Sequence, residues 1–159
     1  SGGFLGINRT SAISTYGTMY VIPTEDEWYK AAYYKPDGSG YSSYANGKDT
    51  APIEDVDSNY AYESGAQPWD VGSGIKEQNG TFNMMGNVWE WNEAEISDSY
   101  RGIRGSSYYE YSNSLISSGR GSGFPYSENT NIGFRIVSVP EPASILLFGL
   151  GGLLLKRKK

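Results

Sequence analysis

The stretch that most constrains the fold of this chain reads NGTFNMMGNVWEW and runs from Asn79 to Trp91. It holds one phenylalanine, two methionines and two tryptophans, and aromatic and thioether groups in such number are costly to leave in solvent. Gly86 is typical of backbone that needs a positive φ or a close approach. We therefore expect a buried strand and turn at the centre of the core, with a cation site formed by the oxygens of Asn83 and Glu90 as the functional alternative.

The composition favours a loop-rich domain of α+β or β type. The chain has 159 residues, which is enough for one core, and its 21 glycines and 14 tyrosines accompany few helix-forming runs. Up to Val137 it carries nine basic and 17 acidic residues, a net charge of −8. Nucleic-acid binding needs a basic surface, so we expect no nucleic-acid partner.

Two missing residue types exclude whole classes of chemistry. The sequence contains no cysteine and no histidine. Disulfides, zinc–thiolate sites and thiol catalysis are therefore excluded, and so are Ser-His-Asp catalysis and His-ligated iron or copper. Oxygen ligands remain in number, and these suit calcium or magnesium.

One helix is clearly marked in the sequence. Thr24 and Glu27 match the two ends of a capping box, and Pro23 before them fits a helix start. This pattern predicts a helix over 25–34 with Trp28 packed into the core.

The other elements are predicted to be short. Residues 1–22 are expected to form a strand pair or loop that ends in a β-prone run at 19–22, and residues 92–100 are expected to be polar and exposed. Residues 36–78 form a long, acidic, irregular stretch, of a length that is usually functional. Strands are predicted at 102–108 and 132–137, with Arg104 and Arg135 paired to acidic neighbours.

Three motifs together resemble the formylglycine-generating enzyme or sulfatase-modifying-factor domain. They are IPTEDEW at 22–28, FNMMGNVWEW at 82–91, and RGSS at 104–107 together with IGFR at 132–135. The resemblance covers roughly residues 15–137. It implies a C-type-lectin-like α+β fold, loop-rich with short strands and one clear helix. The family's N-terminal part lies outside the chain, which begins at Ser1 without a signal sequence, so we expect it to be the C-terminal portion of a longer product.

The resemblance also implies calcium sites. In the family, a segment of the pattern Asn-x-x-Gly-x-x-x-Glu supplies one site, which maps onto the side chains of Asn83 and Glu90 and the carbonyls of Gly86 and Val88. A mixture of carboxylate, amide and carbonyl oxygens is what a hard cation needs. A second site in the upstream loop maps onto Asn59, Tyr60 and Glu63.

The catalytic site of the family does not carry over. Its enzymes hold copper with a pair of cysteines, but the segment after Gly105 reads SSYYEYSN and contains no thiol. The iron-dependent relatives need histidines, which this sequence also lacks. We therefore expect no copper site and no oxidase activity of the family's type.

The C-terminus resembles a PEP-CTERM sorting signal. Pro140, Glu141 and Pro142 precede an apolar run at 143–155, and four basic residues follow. As a helix, the apolar run would span about 20 Å, short of the ~30 Å hydrocarbon core, so we expect it to engage the inner membrane transiently. The resemblance implies export from a Gram-negative bacterium to the cell surface or the extracellular space, and recognition, with cleavage near the motif, by an exosortase. The predicted divisions are a domain at 1–137, a Pro-rich linker at 138–142 and a separate apolar helix with a basic tail at 143–159.

Two classes of function fit these features. The first is a non-catalytic, calcium-stabilised binding module for a glycan, exopolysaccharide or protein, because Tyr, Ser, Gly and Asn make adaptable binding surfaces. Its plausible contacts are Tyr108, Tyr109, Tyr111, Arg120 and Tyr126. The second is an enzyme of the superfamily with carboxylate-based chemistry, which would use two of Glu90, Glu93, Glu95 and Asp98. We favour the binding module, because no spacing here holds two carboxylates across a cleft.

Overall fold

The computed structural model describes residues 8–61 and 65–140, which belong to two units. One unit contains the described residues 8–21 and 136–140, and the other runs from Ile22 to Arg135. Within the described ranges no helix is both long and apolar enough to cross a membrane. The apolar helix predicted at 143–159 lies outside the described residues.

The first unit pairs the two ends of the described chain. Helix α1 (Arg9–Tyr16) leads into strand β1 (Met19–Val21), which pairs antiparallel with β6 (Val137–Val139). The strand at 19–22 is thus confirmed. The loop expected before it is wrong, because residues 9–16 are helical and the Asn8 side chain caps them by accepting the Ser11 N–H at 3.0 Å.

The predicted capping box opens the helix of the second unit. Helix α2 (Glu25–Tyr33) begins at Thr24, whose side chain accepts the Glu27 N–H at 3.2 Å, and the Glu27 carboxylate accepts the Thr24 N–H at 2.8 Å. Two backbone N–H groups at the helix start, which have no partner within the helix, are satisfied in this way. The side chain of Trp28 is completely buried, as predicted.

A four-stranded sheet follows the long irregular stretch at 36–78, and its strands lie in the order β4-β3-β2-β5. Its strands are β2 (Trp89–Ser97), β3 (Tyr100–Arg104), β4 (Gly121–Gly123) and β5 (Ile132–Gly133), and a 3₁₀ turn at Ser112–Ser114 precedes β4. The hairpin β2–β3 is antiparallel, whereas β5 runs parallel to β2. Residues 92–97 are strand through their pairing with β3, and the exposure predicted for 92–100 holds at 95–99 but not at Asn92, which is buried. The strand predicted at 132–137 is divided into β5 and β6.

The core of the second unit forms between α2 and the signature stretch. Met84 and Met85 pack there with Trp28, Tyr33 and Leu115, all nearly inaccessible to solvent. Alternation along β2 places Glu90 on the buried side of the sheet. Trp89 and Trp91 are consequently only half-buried, on the opposite side, where Ile103 and the glycines of β4 lie against them.

Gly86 is required at its position in the signature stretch. Its φ is +74°, and a Cβ placed on it would lie 2.3 Å from Ser58 Oγ and 2.4 Å from the carbonyl oxygen of Asn59. Only glycine combines that backbone conformation with so close an approach. This contact brings the loop around Ser58 against the signature stretch.

Candidate ligand-binding groove

A buried ion pair lies beneath the candidate site. The Glu90 carboxylate, on β2, accepts hydrogen bonds from Nε and Nη2 of Arg135, each at 2.5 Å, and from the Trp28 indole N–H at 2.6 Å. Nη2 of Arg135 also donates to the Phe82 carbonyl at 3.2 Å. The desolvated carboxylate is therefore compensated by both charge and hydrogen bonds. The prediction that Arg135 pairs with an acidic residue is confirmed.

The second predicted arginine pair is confirmed as well. Arg104 donates from Nε to Glu25 at 2.7 Å and from Nη1 to the carbonyls of Ser117 and Gly119. The other oxygen of Glu25 accepts from Arg120, whose side chain is half exposed. Glu25 at the start of α2 thus holds the segment before β4 through two arginines.

Two buried amides hold the upstream loops against the signature stretch. Asn87, which is buried and has a φ of +64°, accepts the Trp69 backbone N–H at 2.7 Å on its Oδ1 and donates from Nδ2 to the Trp69 carbonyl at 3.4 Å. The Asn59 side chain donates to Asn87 Oδ1 and to the Gln67 carbonyl. We call this pair the Asn59–Asn87 clamp. It fixes the backbone of residue 69 as a neighbouring strand would.

A groove of about 570 Å³ opens between this loop and the segment after β5. We call it the Trp69 groove. Its walls are apolar and include Pro68, Trp69, Val71, Phe82, Val88 and Phe134, and its polar lining includes Asn83, Glu90 and Arg135. The side chains of Val71 and Phe134 are largely exposed at its rim. Clefts of this size and apolar character are typical of small-molecule sites.

Two polar groups of the Trp69 groove are not engaged by the protein. Within residues 8–61 and 65–140, the side-chain amide of Asn83 and Nη1 of Arg135 have no hydrogen-bond partner. Asn83 has a φ of +57° and is only partly buried. These two groups together offer several donors and one acceptor to a ligand.

The residues predicted to hold calcium lie in and beside this groove. Asn83, Val88 and Glu90 line it, and Gly86 is buried three residues after Asn83. All four offer hard oxygen atoms, and Oε1 of Glu90 accepts one hydrogen bond and keeps a free lone pair, so the donor set fits a calcium ion in kind. The guanidinium of Arg135 is already one cation at this place, and its charge repels an added metal ion. Neither here nor elsewhere in the described residues do three acidic side chains gather as a metal-binding group.

The second predicted calcium site is only partly described. Asn59 belongs to the clamp, and the Tyr60 hydroxyl donates to the Pro52 carbonyl at 2.7 Å. Glu63 lies outside the described residues, as do Glu141 and Pro142 of the sorting motif. Pro140 ends the second described range.

Four of the five predicted ligand contacts lie at the surface. Tyr109, Tyr111, Arg120 and Tyr126 are exposed to different degrees, whereas the Tyr108 ring is 1 % exposed and its hydroxyl donates to Thr130. Tyr126 stacks on Phe124 with centroids 5.2 Å apart, and Phe124 contacts Tyr100 at 4.2 Å. Tyr100, Phe124 and Tyr126 make an aromatic surface beside β4, and none of the three is in the lining of the Trp69 groove.

The carboxylates of the enzymatic alternative are spread along the β2–β3 hairpin. Of the four, Glu90 alone lines the Trp69 groove, where Arg135 engages it, while Glu95 and Asp98 are exposed. A neighbouring cavity of about 510 Å³ has Asp55 and Asp70 in its lining. Both side chains are exposed to solvent.

Sequence reasoning missed Trp69 and Glu77. Trp69 lies in the aperiodic stretch 36–78, where no hydrophobic period marks it; the Pro-Trp pair inside a Gly- and Asp-rich loop was the available signal. Glu77 is buried and accepts hydrogen bonds from the Met84 N–H and the Thr81 hydroxyl. Burial raises the pKa of the Glu77 carboxyl, and these hydrogen bonds partly oppose that shift.

The profiles of two protein families match this chain. The profile of the sulfatase-modifying factor enzyme 1-like domain matches residues 6–139, and that of the PEP-CTERM protein-sorting motif matches residues 138–159. No curated protein matches the chain.

Three solved structures share the fold. Treponema denticola variable protein 1 superposes with a TM-score of 0.62 at 24% identity, covering 77% of this chain and 48% of that one. The crystal structure of CarF gives a TM-score of 0.58 at 29% identity, covering 76% and 47% of the two chains. PvdO from Pseudomonas aeruginosa gives 0.61 at 20% identity, covering 84% and 57%. The predicted α+β sulfatase-modifying-factor fold is confirmed, and the chain spans about half the length of these proteins.

Proposed function

Since this chain belongs to the family of sulfatase-modifying factor enzyme 1-like domains, we propose that it is a non-catalytic binding module of the cell surface. Its PEP-CTERM motif indicates export in a Gram-negative bacterium and processing by exosortase-type machinery. In the proposal, residues 1–137 form the binding domain, 138–142 are the linker and 143–155 anchor the protein in the membrane until it is cleaved.

The proposal of a non-catalytic role rests on the absence of cysteine and histidine from the whole sequence. The family's oxidase chemistry needs thiols, and the segment that follows Gly105 has none. The most buried of the candidate carboxylates, Glu90, is bound by Arg135 on both oxygens. A carboxylate held in this way is a poor nucleophile or base, because its charge is already neutralised.

The surface around β4 is the proposed place of contact with a glycan, an exopolysaccharide or a protein. Arg120 and Tyr126 are exposed on either side of β4 in the sequence, and Tyr109 and Tyr111 are exposed in the segment before it. Tyrosine presents a large amphipathic ring at small entropic cost. Stacking of Tyr126 on Phe124 supports the ring in one orientation.

A binding screen with a chemical readout tests the role. The 159-residue chain is titrated with purified surface polysaccharides, glycans and peptides, and each bound ligand is weighed by mass spectrometry before and after incubation. We expect saturable binding, an unchanged ligand mass, and weaker binding in Tyr109→Ala and Tyr126→Ala. Tyr20→Ala is the control for Tyr126→Ala, because the two tyrosines are 70 % and 78 % exposed and Tyr20 lies on β1. Turnover of any ligand would establish the enzymatic alternative instead.

We further propose calcium as a structural ligand of Asn83, Gly86, Val88 and Glu90. Support comes from the hard-oxygen donor set and from the unpartnered Asn83 amide in the described chain. Thermal unfolding of the 159-residue chain in calcium and in chelator tests it, since a ligand at about 100 times its Kd stabilises by about 2.7 kcal/mol. We expect the calcium-dependent rise to shrink in Asn83→Ala. A midpoint that calcium leaves unchanged in the wild type would remove the proposal.

A further inference from the structure

We propose that the Trp69 groove binds a neutral saccharide, which stacks on Trp69 and Phe134 and donates and accepts hydrogen bonds at Asn83 and Arg135. The inference rests on the proposed binding role and adds a site and a ligand class to it. The groove is distinct from the tyrosine surface around β4.

The main chain of Trp69 is held by hydrogen bonds on both its N–H and its carbonyl, although the side chain is only half-buried. Asn87 binds its backbone N–H and carbonyl, and Asn59 holds Asn87 and the Gln67 carbonyl in turn. The ring lies over Gly74, where a Cβ would come within 2.8 Å of Cζ3. Two buried amides thus fix the main chain that carries the ring, and Gly74 lies against the ring itself. Preorganisation lowers the entropic cost of binding, which is the advantage of such an arrangement for a ligand site.

Phe134 provides the second aromatic wall. Its side chain is 67 % exposed, and its backbone is fixed on both sides, by the parallel pairing of Gly133 with Glu90 and by the ion pair of Arg135. A flat aromatic face exposed in a groove suits the C–H face of a pyranose ring, which is apolar and also flat.

The polar groups of the groove match the hydroxyl edge of a sugar. The Asn83 amide offers two donors and an acceptor, and Nη1 of Arg135 offers two donors. Both groups are planar, so each can engage two neighbouring hydroxyls at once. An aliphatic ligand would leave these groups desolvated and unpaired, which is costly.

The charges of the groove and of the domain around it favour a neutral ligand. Glu90 cancels the charge of Arg135 within the groove, and the domain carries a net charge of −8 up to Val137, from nine basic and 17 acidic residues. An anionic ligand is therefore repelled by the domain and finds no free cation in this part of the site. Neutral hexose, pentose or N-acetylhexosamine units fit these conditions.

Calorimetric titration of the 159-residue chain tests the inference. The probes are oligosaccharides of glucose, galactose, mannose, xylose or N-acetylglucosamine, each neutral, and matched oligosaccharides of glucuronic and galacturonic acid. Chelator is present throughout, because the inference uses no metal. We expect at least one neutral oligosaccharide to bind saturably, with about tenfold weaker binding in Trp69→Ala and in Phe134→Ala. Trp69→Phe should retain most of the affinity, because it keeps an aromatic face and guards against loss through misfolding.

The variants separate this inference from the proposed function. Binding that is lost in Tyr109→Ala or Tyr126→Ala but unaffected by Trp69→Ala and Phe134→Ala would overturn the groove and leave the binding role intact. Binding of the uronic acid oligosaccharides alone, or of no saccharide, would overturn the ligand class, and the binding role would then rest on the wider screen. Tyr20→Ala serves again as the inert control.

Discussion

Replacing Arg135 with methionine should destabilise the domain by about 3 kcal/mol. Methionine keeps much of the apolar stem but removes the N–H groups that reach Glu90. The Glu90 carboxylate, 5 % exposed, would then keep only the Trp28 indole as a described hydrogen-bond donor. Removing one partner of a buried ion pair typically costs about 3–5 kcal/mol. The lower end applies here, because the Arg135 side chain is 25 % exposed and water reaches the pair from that side.

The assays are urea unfolding and thermal unfolding of the 159-residue chain, each followed by tryptophan fluorescence. A loss of about 3 kcal/mol corresponds to a fall in the thermal midpoint on the order of 10 °C for a domain of this size. The single variant Glu90→Gln and the double variant complete a thermodynamic cycle. Because the two side chains contact each other, the double variant should lose about 1–3 kcal/mol less than the sum of the single variants.

The same variant also probes the calcium proposal. Without the guanidinium, the oxygens of Glu90 are free of a competing cation, so calcium should raise the stability of Arg135→Met more than that of the wild type. A destabilisation below about 1 kcal/mol, or strict additivity in the cycle, would refute the view that this pair supports the floor of the groove.

Three further changes test other parts of the structure. Gly86→Ala should lower the free energy of unfolding by about 3 kcal/mol or more, because the position combines a positive φ with a 2.3 Å approach of the new Cβ to Ser58. Gly72, at φ +84°, has open space around it, so Gly72→Ala should lower it by only about 1–2 kcal/mol in the same denaturation assay. Equal losses would contradict this. Thr24→Ala should cost about 1 kcal/mol, since the Glu27 N–H loses its cap, and full stability of this variant would show that the cap is dispensable. Burial raises the pKa of Glu77 above 4.5, so its contribution to stability is fully present below pH 4.5 and is lost as pH rises through the folded pKa. Glu77→Gln does not titrate and should therefore gain stability relative to wild type as the pH rises from 4.5; a stability difference between the two that does not change with pH would refute the shift.

The parts of the fold that local chemistry decides could be predicted from the sequence. The capping box placed the start of α2 at Thr24, because both of its hydrogen bonds join residues three apart, and the predicted end at residue 34 is one residue beyond the observed end. Burial of Met84 and Met85 followed from the density of apolar groups in the signature stretch. The extent of β2 could not be predicted in this way, because its polar half at 92–97 is strand only through pairing with β3.

The candidate site depends on contacts that are distant in sequence. Asn83 and Glu90 were found from a local motif, and Arg135 was expected to pair with some acidic residue. Its partner lies 45 residues away and could not be identified beforehand. Trp69 was missed altogether, because a side-chain amide 18 residues later holds it and no period or cap in its own loop marks it.

The Asn59–Asn87 clamp has a consequence for how readily this groove can change. Both hydrogen bonds from Asn87 to residue 69 end on main-chain atoms, so they do not depend on which side chain residue 69 carries. Any amino acid with a free backbone N–H satisfies them, which leaves proline as the one exception. Position 69 can thus carry different side chains while its main chain stays in the same place. A library randomised there should return folded members of many compositions, from which new recognition could be selected without repair of the scaffold.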